Sequence, residues 1–421
     1  MIGGLFTGVA VMALVGFTAQ GTAIDDASQL GGGETVQVLA GQVEAEYVEI
    51  ELDPAASPAA GVSTATAPDP PTPPQPVTLA FTGDVISHVA VADSARTSRG
   101  EYDFSSMFER VAPVIQAADL AICHLETPLD PESRTPRGFP RFSAPAEVAD
   151  ALVGAGYDGC STASNHVLDR GVTGVGETLD VMDAAGLGHA GSARTPDDRV
   201  GVLYEVGDVT IGHASYSYGV SGWLRSDQQW VANGLDEEQI LADAQNLRER
   251  GAGFVVVSLH WGTELQASPT SLQVRLGEAL MESPLIDLIV GHHAHVLQPV
   301  LRIDDRYLFY GLGNFLSNQE PGCCGEEAQE SAIMLIRIVP QGARWVASEV
   351  RFVPTWVDRH RDYVILSTLA ADVSEHRHAA WLRRSAIRVG ASLQLEEGAL
   401  SIREACEWMG ASCAPTVAGA G

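Results

Sequence analysis

Lysine is absent. All 25 basic residues are arginine, set against 54 acidic ones, for a formal net charge of -29 over 421 residues. Duplex nucleic acid needs a basic footprint, so this balance argues against a nucleic-acid partner. It argues equally against a broad electrostatic grip on an anionic membrane surface. No Cys-x-x-Cys pair occurs among the six cysteines, so the common zinc-ribbon spacing is missing. No internal repeat is visible either, which sets solenoids and propellers aside.

What is present supports a folded core. The hydrophobic fraction is 45%, ordinary for a globular protein. The length suits one large domain with appendages. Residues 1–24 carry no charge and are mostly small or apolar. About 20 such residues can span a bilayer, and Gly21-Thr22-Ala23 offers a small-residue cleavage site, so this stretch reads as a membrane anchor or signal segment. Residues 25–76 end in a run rich in proline, alanine and threonine, which cannot bury a core and reads as a spacer. An apolar start, a spacer and then a globular domain predict a tethered or secreted extracytoplasmic protein. Cys123 and Cys160 lie in apolar runs and read as buried free thiols. Cys406 and Cys413 flank a short segment and would pair if the domain is exported. Cys323 and Cys324 are adjacent, a spacing that rarely bridges.

From Val77 the pattern alternates. Strands are expected at Val77–Val85, Leu120–Leu125, Tyr157–Ala163 and Phe254–His260, and near Ile286–Val290. Helices are expected over Phe104–Ala118, Pro145–Ala155, Gly174–Ala185, Glu237–Arg250 and Leu272–Glu282. Val202–Tyr218 reads as a hairpin turning at Gly207-Asp208. The alternation predicts an α/β core, and the later run Tyr307–Phe315, Ala332–Val339 and Trp345–Val353 predicts a second sheet packed on it. Residues 77–357 form the expected domain, and 358–421 a polar helical tail.

In such sheets ligands gather beyond the carboxyl ends of strands, and polar residues recur there. The first strand ends in Gly83-Asp84, with His88 four residues after Asp84. The next ends in His124-Leu125-Glu126. The third leads into Asn165-His166, with Asp169 three residues on. Phe254–His260 runs into His260-Trp261-Gly262-Thr263-Glu264, and the last ends in Gly291-His292-His293-Ala294-His295. Each motif alone is weak, because an Asp or His after a strand is more often a turn or loop residue. Five together crowd carboxylates and imidazoles at one edge, and a bound metal is the usual way to neutralise them. Mixed Asp, Glu, Asn and His ligands suit Mn, Zn or Fe better than calcium.

The motif order Gly-Asp, Leu-Glu, Asn-His, His-Trp-Gly-x-Glu, Gly-His-His-x-His and Gly-Asn-Phe resembles the CapA-like capsule-synthesis proteins, associated with bacterial poly-γ-glutamate. Their fold is similar to that of the calcineurin-like metallophosphoesterases. The resemblance runs from about Val77 to Trp356. It implies a four-layer α/β/β/α sandwich with two divalent metals in the strand-end cleft. It implies Asp84, Glu126, Asn165, His260, His293 and His295 as metal ligands. His166 stands as a proton donor near the leaving group, with Asp169 beside it as a catalytic partner. His88, His124, Arg141, Glu264, Gln298 and Asn314 stand at supporting or substrate positions. Two departures from ordinary phosphoesterases, Val85-Ile86 after Asp84 in place of Asp-x-His and Glu126 in place of Asp, are shared by the CapA-like proteins. His124 replaces their usual Asn, as an added ligand or a hydrogen-bond substitute.

Two functions follow. One is a metal-dependent hydrolase or transferase acting on a phosphoester or on an amide bond of an anionic polymer such as poly-γ-glutamate. The other is a non-catalytic, membrane-tethered assembly or export partner of capsule synthase subunits, with a structural metal. A polyanionic substrate must be reconciled with the charge of -29. Arg134, Arg137 and Arg141 cluster after Glu126, and arginine forks bind carboxylates and phosphates well, so this loop is expected to line the substrate entrance.

Overall fold

The computed structural model describes residues 74–132, 135–220, 222–342, 344–370, 379–395 and 398–413. The expected membrane segment, nearly all of the expected spacer and Arg134 lie outside the described residues. Among those described, no helix is long and apolar enough to cross a membrane.

In chain order the strands are β1 (Val77–Val85), β2 (Leu120–Leu125), β3 (Leu129–Asp130), β4 (Ala144–Pro145), β5 (Gly159–Ser161), β6 (Gly188–Ala190), β7 (Val202–Val206), β8 (Val209–Ser217), β9 (Phe254–His260), β10 (Leu288–His292), β11 (Val300–Ile303), β12 (Arg306–Phe309), β13 (Asn314–Leu316), β14 (Glu330–Gln341), β15 (Arg344–Asp358) and β16 (Val364–Ser367). The helices are α1 (Val89–Ser94), α2 (Ser105–Phe108), α3 (Ala112–Ala117), α4 (Glu147–Ala155), α5 (Gly171–Ala185), α6 (Glu237–Glu249), α7 (Ser271–Glu282), α8 (Pro321–Cys324), α9 (Ala379–Leu393) and α10 (Ile402–Met409).

One sheet runs β16-β15-β14-β1-β2-β5-β6, with β13 also on β1; the other runs β11-β12-β10-β9-β8-β7. Alternate residues of the central strands face opposite layers. Leu79, Phe81, Ile122, Val256 and Val290 fill the space between the sheets. Ala80, Val85, Cys123 and Leu125 turn outward onto the layer of α2, α3, α4 and α5. Val255, Val257, Leu259 and Ile289 turn the other way, onto α6 and α7. The result is a four-layer α/β/β/α sandwich, as the resemblance implies. β1, β2, β5 and β6 are mutually parallel, and so are β8, β9, β10 and β12. Parallel strands point their carboxyl ends the same way, so each sheet presents a row of strand ends.

Several expectations change. The late strands β14 and β15 extend the first sheet, because β14 pairs antiparallel with β1 from Val77 to Phe81. The second sheet is built from β7 to β12 instead. The expected single strand Tyr307–Phe315 is two strands in different sheets, split where Gly313 takes a φ of 68°. Such a backbone favours glycine, and it lets the chain cross between sheets. After Asp358 the chain is not wholly helical: β16 pairs with β15 from Val364 to Ser367, and α9 and α10 follow. Cys123 and Cys160 are not free thiols. The β2–β5 register sets them side by side, 4.4 Å apart at Cα, and they are disulfide-bonded. Cys323 pairs with Cys324, and Cys406 with Cys413.

Gly83 shows how tightly the first site residue is held. A Cβ there would collide with the carbonyls of Gly313 and Leu312 and with the Ser331 hydroxyl. Asp84 therefore sits on a strand pressed against β13 and β14 with no slack. Gly83→Ala should cost about 1–3 kcal/mol, as overpacking does, read as a lower denaturant midpoint; an unchanged midpoint would show that β1 has slack.

His213 of β8 is fully buried, with Nε2 2.9 Å from Ser258 Oγ. Burial, helped by the charge of His292, lowers its pKa from 6.5 to about 3. The unfolded chain takes up this proton first. The contribution is thus fully present above about pH 6.5 and lost as pH falls toward 3. We expect His213→Gln to flatten the acid limb of stability by up to about 1.4 kcal/mol per pH unit. Parallel acid limbs in wild type and variant would refute this.

Candidate metal centre

The strand ends of both sheets meet at one buried point. Asp84, near the end of β1, is fully buried. Its Oδ1 accepts from His292 Nδ1 at 3.0 Å, and its Oδ2 accepts from His295 Nδ1 at 3.0 Å and from the His293 backbone N–H at 3.2 Å. One carboxylate of the first sheet therefore holds three residues at the end of β10 in the second. The chain can wrap this way because His293 and His295 adopt left-handed φ values of 83° and 56°. That conformation is costly for residues with a Cβ, so the three bonds to Asp84 offset it.

A second link runs through imidazoles. His124 Nδ1 lies 2.7 Å from Ser161 Oγ, His124 Nε2 lies 2.9 Å from His260 Nδ1, and His260 Nε2 lies 3.1 Å from Asn165 Oδ1. Asn165 Oδ1 can only accept, so the protons point from Ser161 through His124 and His260 toward Asn165. The His124 ring also stacks on His292 at 4.0 Å. Glu126, just past β2, is buried with Oε1 3.7 Å from His295 Nε2.

The electrostatics suit metal ligation. Burial opposes ionisation of Asp84, but the hydrogen bonds from His292 and His295 and the charges of His292 and His124 prevail and hold its carboxyl well below the usual range. Burial, reinforced by Asp84, lifts Glu126 to about 7. Burial would lower His295, but Glu126 and Asp84 hold it up at about 9. Burial and neighbouring imidazoles push His124 and His260 well down and His293 to about 3. These three rings are neutral, the form in which imidazole binds metal. Four overlapping groups bring ligand atoms within 4.8 Å of one another: Asp84, His124 and His292; His124, Glu126 and His260; Glu264, His293 and His295; Asp84, Glu126 and His295. Glu126 Oε2 and His293 Nδ1 are buried without any hydrogen-bond partner among the described residues, a costly condition for polar atoms. Glu126 and His293 belong to different groups of this set, joined through His295, and bound divalent cations would satisfy both atoms, so the residues fit such a group.

The other predicted positions divide. His166 Nδ1 donates to Asp169 Oδ2 at 2.8 Å, and the same oxygen accepts from the Phe142 backbone N–H at 2.6 Å. The Phe142 ring meets His166 and His88 edge-on at 4.6 Å and 5.3 Å. The arginine-bearing loop thus borders the proton-donor candidate, with Arg137 and Arg141 exposed on it. His88 Nδ1 accepts from the Asn318 backbone N–H at 3.2 Å, and burial lowers its pKa to about 4. Glu264 is exposed at the mouth beside His293 and His295. Gln298 is engaged elsewhere, accepting from Gln273 and donating to the Gln266 carbonyl, so it fastens a loop. Asn314 sits opposite Asp84 in the β1–β13 register and donates to Gln319 and to the Ala328 carbonyl.

Two contributors escape a sequence reading. His292 lies in the quoted motif, but alternation favours His293 and His295, and the left-handed turns break that alternation. Tyr218 follows β8. Its ring lies 4.5 Å from that of His293 and 6.2 Å from that of His260. The hairpin is visible in the sequence; the arrival of its second strand at the same edge is not.

A four-layer sandwich with a buried His-carboxylate centre at its strand ends is the class defined by this geometry. Residues 78–319 match the family described as bacterial capsule synthesis protein PGA_cap, and the chain belongs to that family. It is 26% identical over 254 residues to the capsule biosynthesis protein CapA of Bacillus anthracis, a match spanning 58% of this chain and 60% of that protein. It is also 26% identical over 293 residues to the PGA biosynthesis protein CapA of Bacillus subtilis (strain 168), over 66% of this chain and 73% of that protein. A solved calcineurin-like phosphoesterase of Bacillus subtilis is similar over 74% of this chain and 99% of its own, with a TM-score of 0.38 and 12% identity.

Metal analysis of the purified protein should find bound transition metal, and Asp84→Ala and His292→Ala should each lose most of it. Losing one of several ligands typically costs far more than the 10–100-fold that outer partners cost. Full occupancy in both variants would remove Asp84 and His292 from the centre.

Proposed function

We propose that this protein is a divalent-metal-dependent hydrolase of an anionic polymer, acting in poly-γ-glutamate or capsule biosynthesis. The observation that carries the reading is the buried centre itself, with two partnerless ligand atoms, Glu126 Oε2 and His293 Nδ1. Asp84, His124, Glu126, Asn165, His260, His292, His293 and His295 would hold one or two ions, with Mn, Zn or Fe favoured by the mixed donors. Bound there, such ions supply Lewis acidity and a water that ionises near neutral pH. Asp169 fixes the imidazole of His166 through Nδ1 and leaves Nε2 to exchange a proton with the departing group. Phe142 walls that ring on one side.

The uncharged residues 1–24 and the spacer support a tethered or secreted protein outside the cytoplasm, where it would meet polymer and synthase subunits. The names of the relatives support a place in polymer synthesis, and a non-catalytic partner role is the outcome the following experiment would otherwise return.

His166→Ala should lower kcat about 10²–10⁴-fold with metal retained, and Asp169→Asn should lower it less. Chelation should abolish turnover and metal return restore it, measured on poly-γ-glutamate and on a phosphodiester. If a metal-depleted Asp84→Ala protein still restores polymer to a deletion strain, the hydrolase reading fails and an assembly role takes its place.

A further inference from the structure

A cavity of about 380 Å³ opens beside the metal centre on the side of β8 and α7. Tyr218 lines it, and the same ring packs against His293, so the cavity and the centre share a wall. Leu235, Leu272 and Leu276 supply aliphatic surface, and Glu237 and Arg275 supply one charge of each sign. Neither Glu237 nor Arg275 has a hydrogen-bond or ion-pair partner among the described residues, and they do not pair with each other. Most other acidic or basic side chains lining a cavity here are engaged: Arg199 holds Asp243, Arg194 holds Asp180 and Asp183, and Arg388 holds Glu330. A free cation and a free anion in one cavity with aliphatic lining match a zwitterion on a short aliphatic stem.

We infer that this cavity seats the α-amino-acid end of the polymer, its ammonium on Glu237 and its carboxylate on Arg275, so that the terminal linkage falls at the metal centre. The inference rests on the hydrolase reading and names its substrate end. In a γ-linked chain the first residue carries a free amino group and a free carboxylate on one carbon. Two methylenes, about 4 Å of reach at about 1.5 Å per bond, separate that carbon from the scissile carbonyl. Tyr218 lines the cavity and packs on His293, so a stem of that length leads from the cavity wall toward the centre. The leucines cover the methylenes, and guanidinium is the better cation for a carboxylate because its fork matches two oxygens. Hydrolysis adds water across the terminal amide: the γ-carbonyl carbon gains the hydroxyl, the departing nitrogen gains a proton, and one amino acid leaves. The shortened chain again begins with an ammonium and a carboxylate on one carbon, so it fits the same cavity.

The test uses the full-length, metal-depleted protein and two probes, γ-glutamyl-γ-glutamate and its N-acetyl form, with binding read by calorimetry. In the wild type, acetylation should weaken binding at least 10-fold. Glu237→Gln should bring that ratio close to one. Arg275→Ala should weaken both probes at least 10-fold. Both side chains are exposed, so the variants should keep the wild-type circular dichroism. Equal binding of the two probes to the wild type, or unaltered binding by Arg275→Ala, overturns the inference. The same proteins, metal-loaded, are then given end-acetylated polymer. Rapid internal cleavage that ignores Glu237→Gln rejects the cavity and keeps the hydrolase. End-selective binding without any turnover keeps the cavity and rejects the hydrolase.

Discussion

The constraint on which the rest depends is the burial of Asp84. A carboxylate removed from water is expensive unless charge and hydrogen bonds replace the solvent. Here three donors from one turn do so, and that turn belongs to the other sheet. The same contacts that stabilise the anion therefore fix the two sheets at their carboxyl ends and hold His293 and His295 in left-handed backbone. Loss of Asp84 would release both at once. The tight approach of Gly83 to β13 and β14 puts the carboxylate where those donors converge.

The surroundings of Asp84 carry more ligand capacity than the protein itself satisfies. The neutral imidazole of His293 keeps a lone pair available at Nδ1, His124 and His260 would have to give up a hydrogen bond to bind an ion, and the high pKa of His295 is sustained by Glu126 and Asp84. A centre needed only for folding would close its hydrogen bonds internally, as Asp287 does with Arg248 and the Val255 backbone. Glu126 and His293 instead keep one open atom each. Partial satisfaction is costly in a low-dielectric interior, and a bound cation would complete the network at these two atoms.

Much of this was legible in the sequence because it follows from strand ends. Asp84, Glu126, Asn165, His260 and the His-His-x-His run each sit just past an apolar run, and parallel strands bring such ends together. What was hidden depends on non-local pairing. His292 is chosen by the turn at His293, a backbone feature that no residue pattern announces. Cys123 and Cys160 became neighbours only through the β2–β5 register. The crossing at Gly313 divided what reads as one apolar strand, and β14 joined the first sheet because β1 had an open edge to pair. Propensity sets the element; which partner it finds is a tertiary matter.

The acidity of the chain looks at first like an obstacle to a polyanionic substrate. Repulsion from a diffuse surface charge falls away within a Debye length of about 8–10 Å at ordinary ionic strength. Binding at a site is decided by the few groups inside that distance. Around the centre the exposed charges are of both signs, with Arg275, Arg137 and Arg141 set against Glu237 and Glu264. A zwitterionic end adds no net charge at the point of entry, whereas an internal segment would bring several anionic groups at once. If the polymer is the substrate, the acidic surface that opposes an internal segment would disfavour an end much less, and selectivity for chain ends would need no steric gate. Net charge of this kind would then discriminate between modes of attack on one polymer rather than bar the polymer itself.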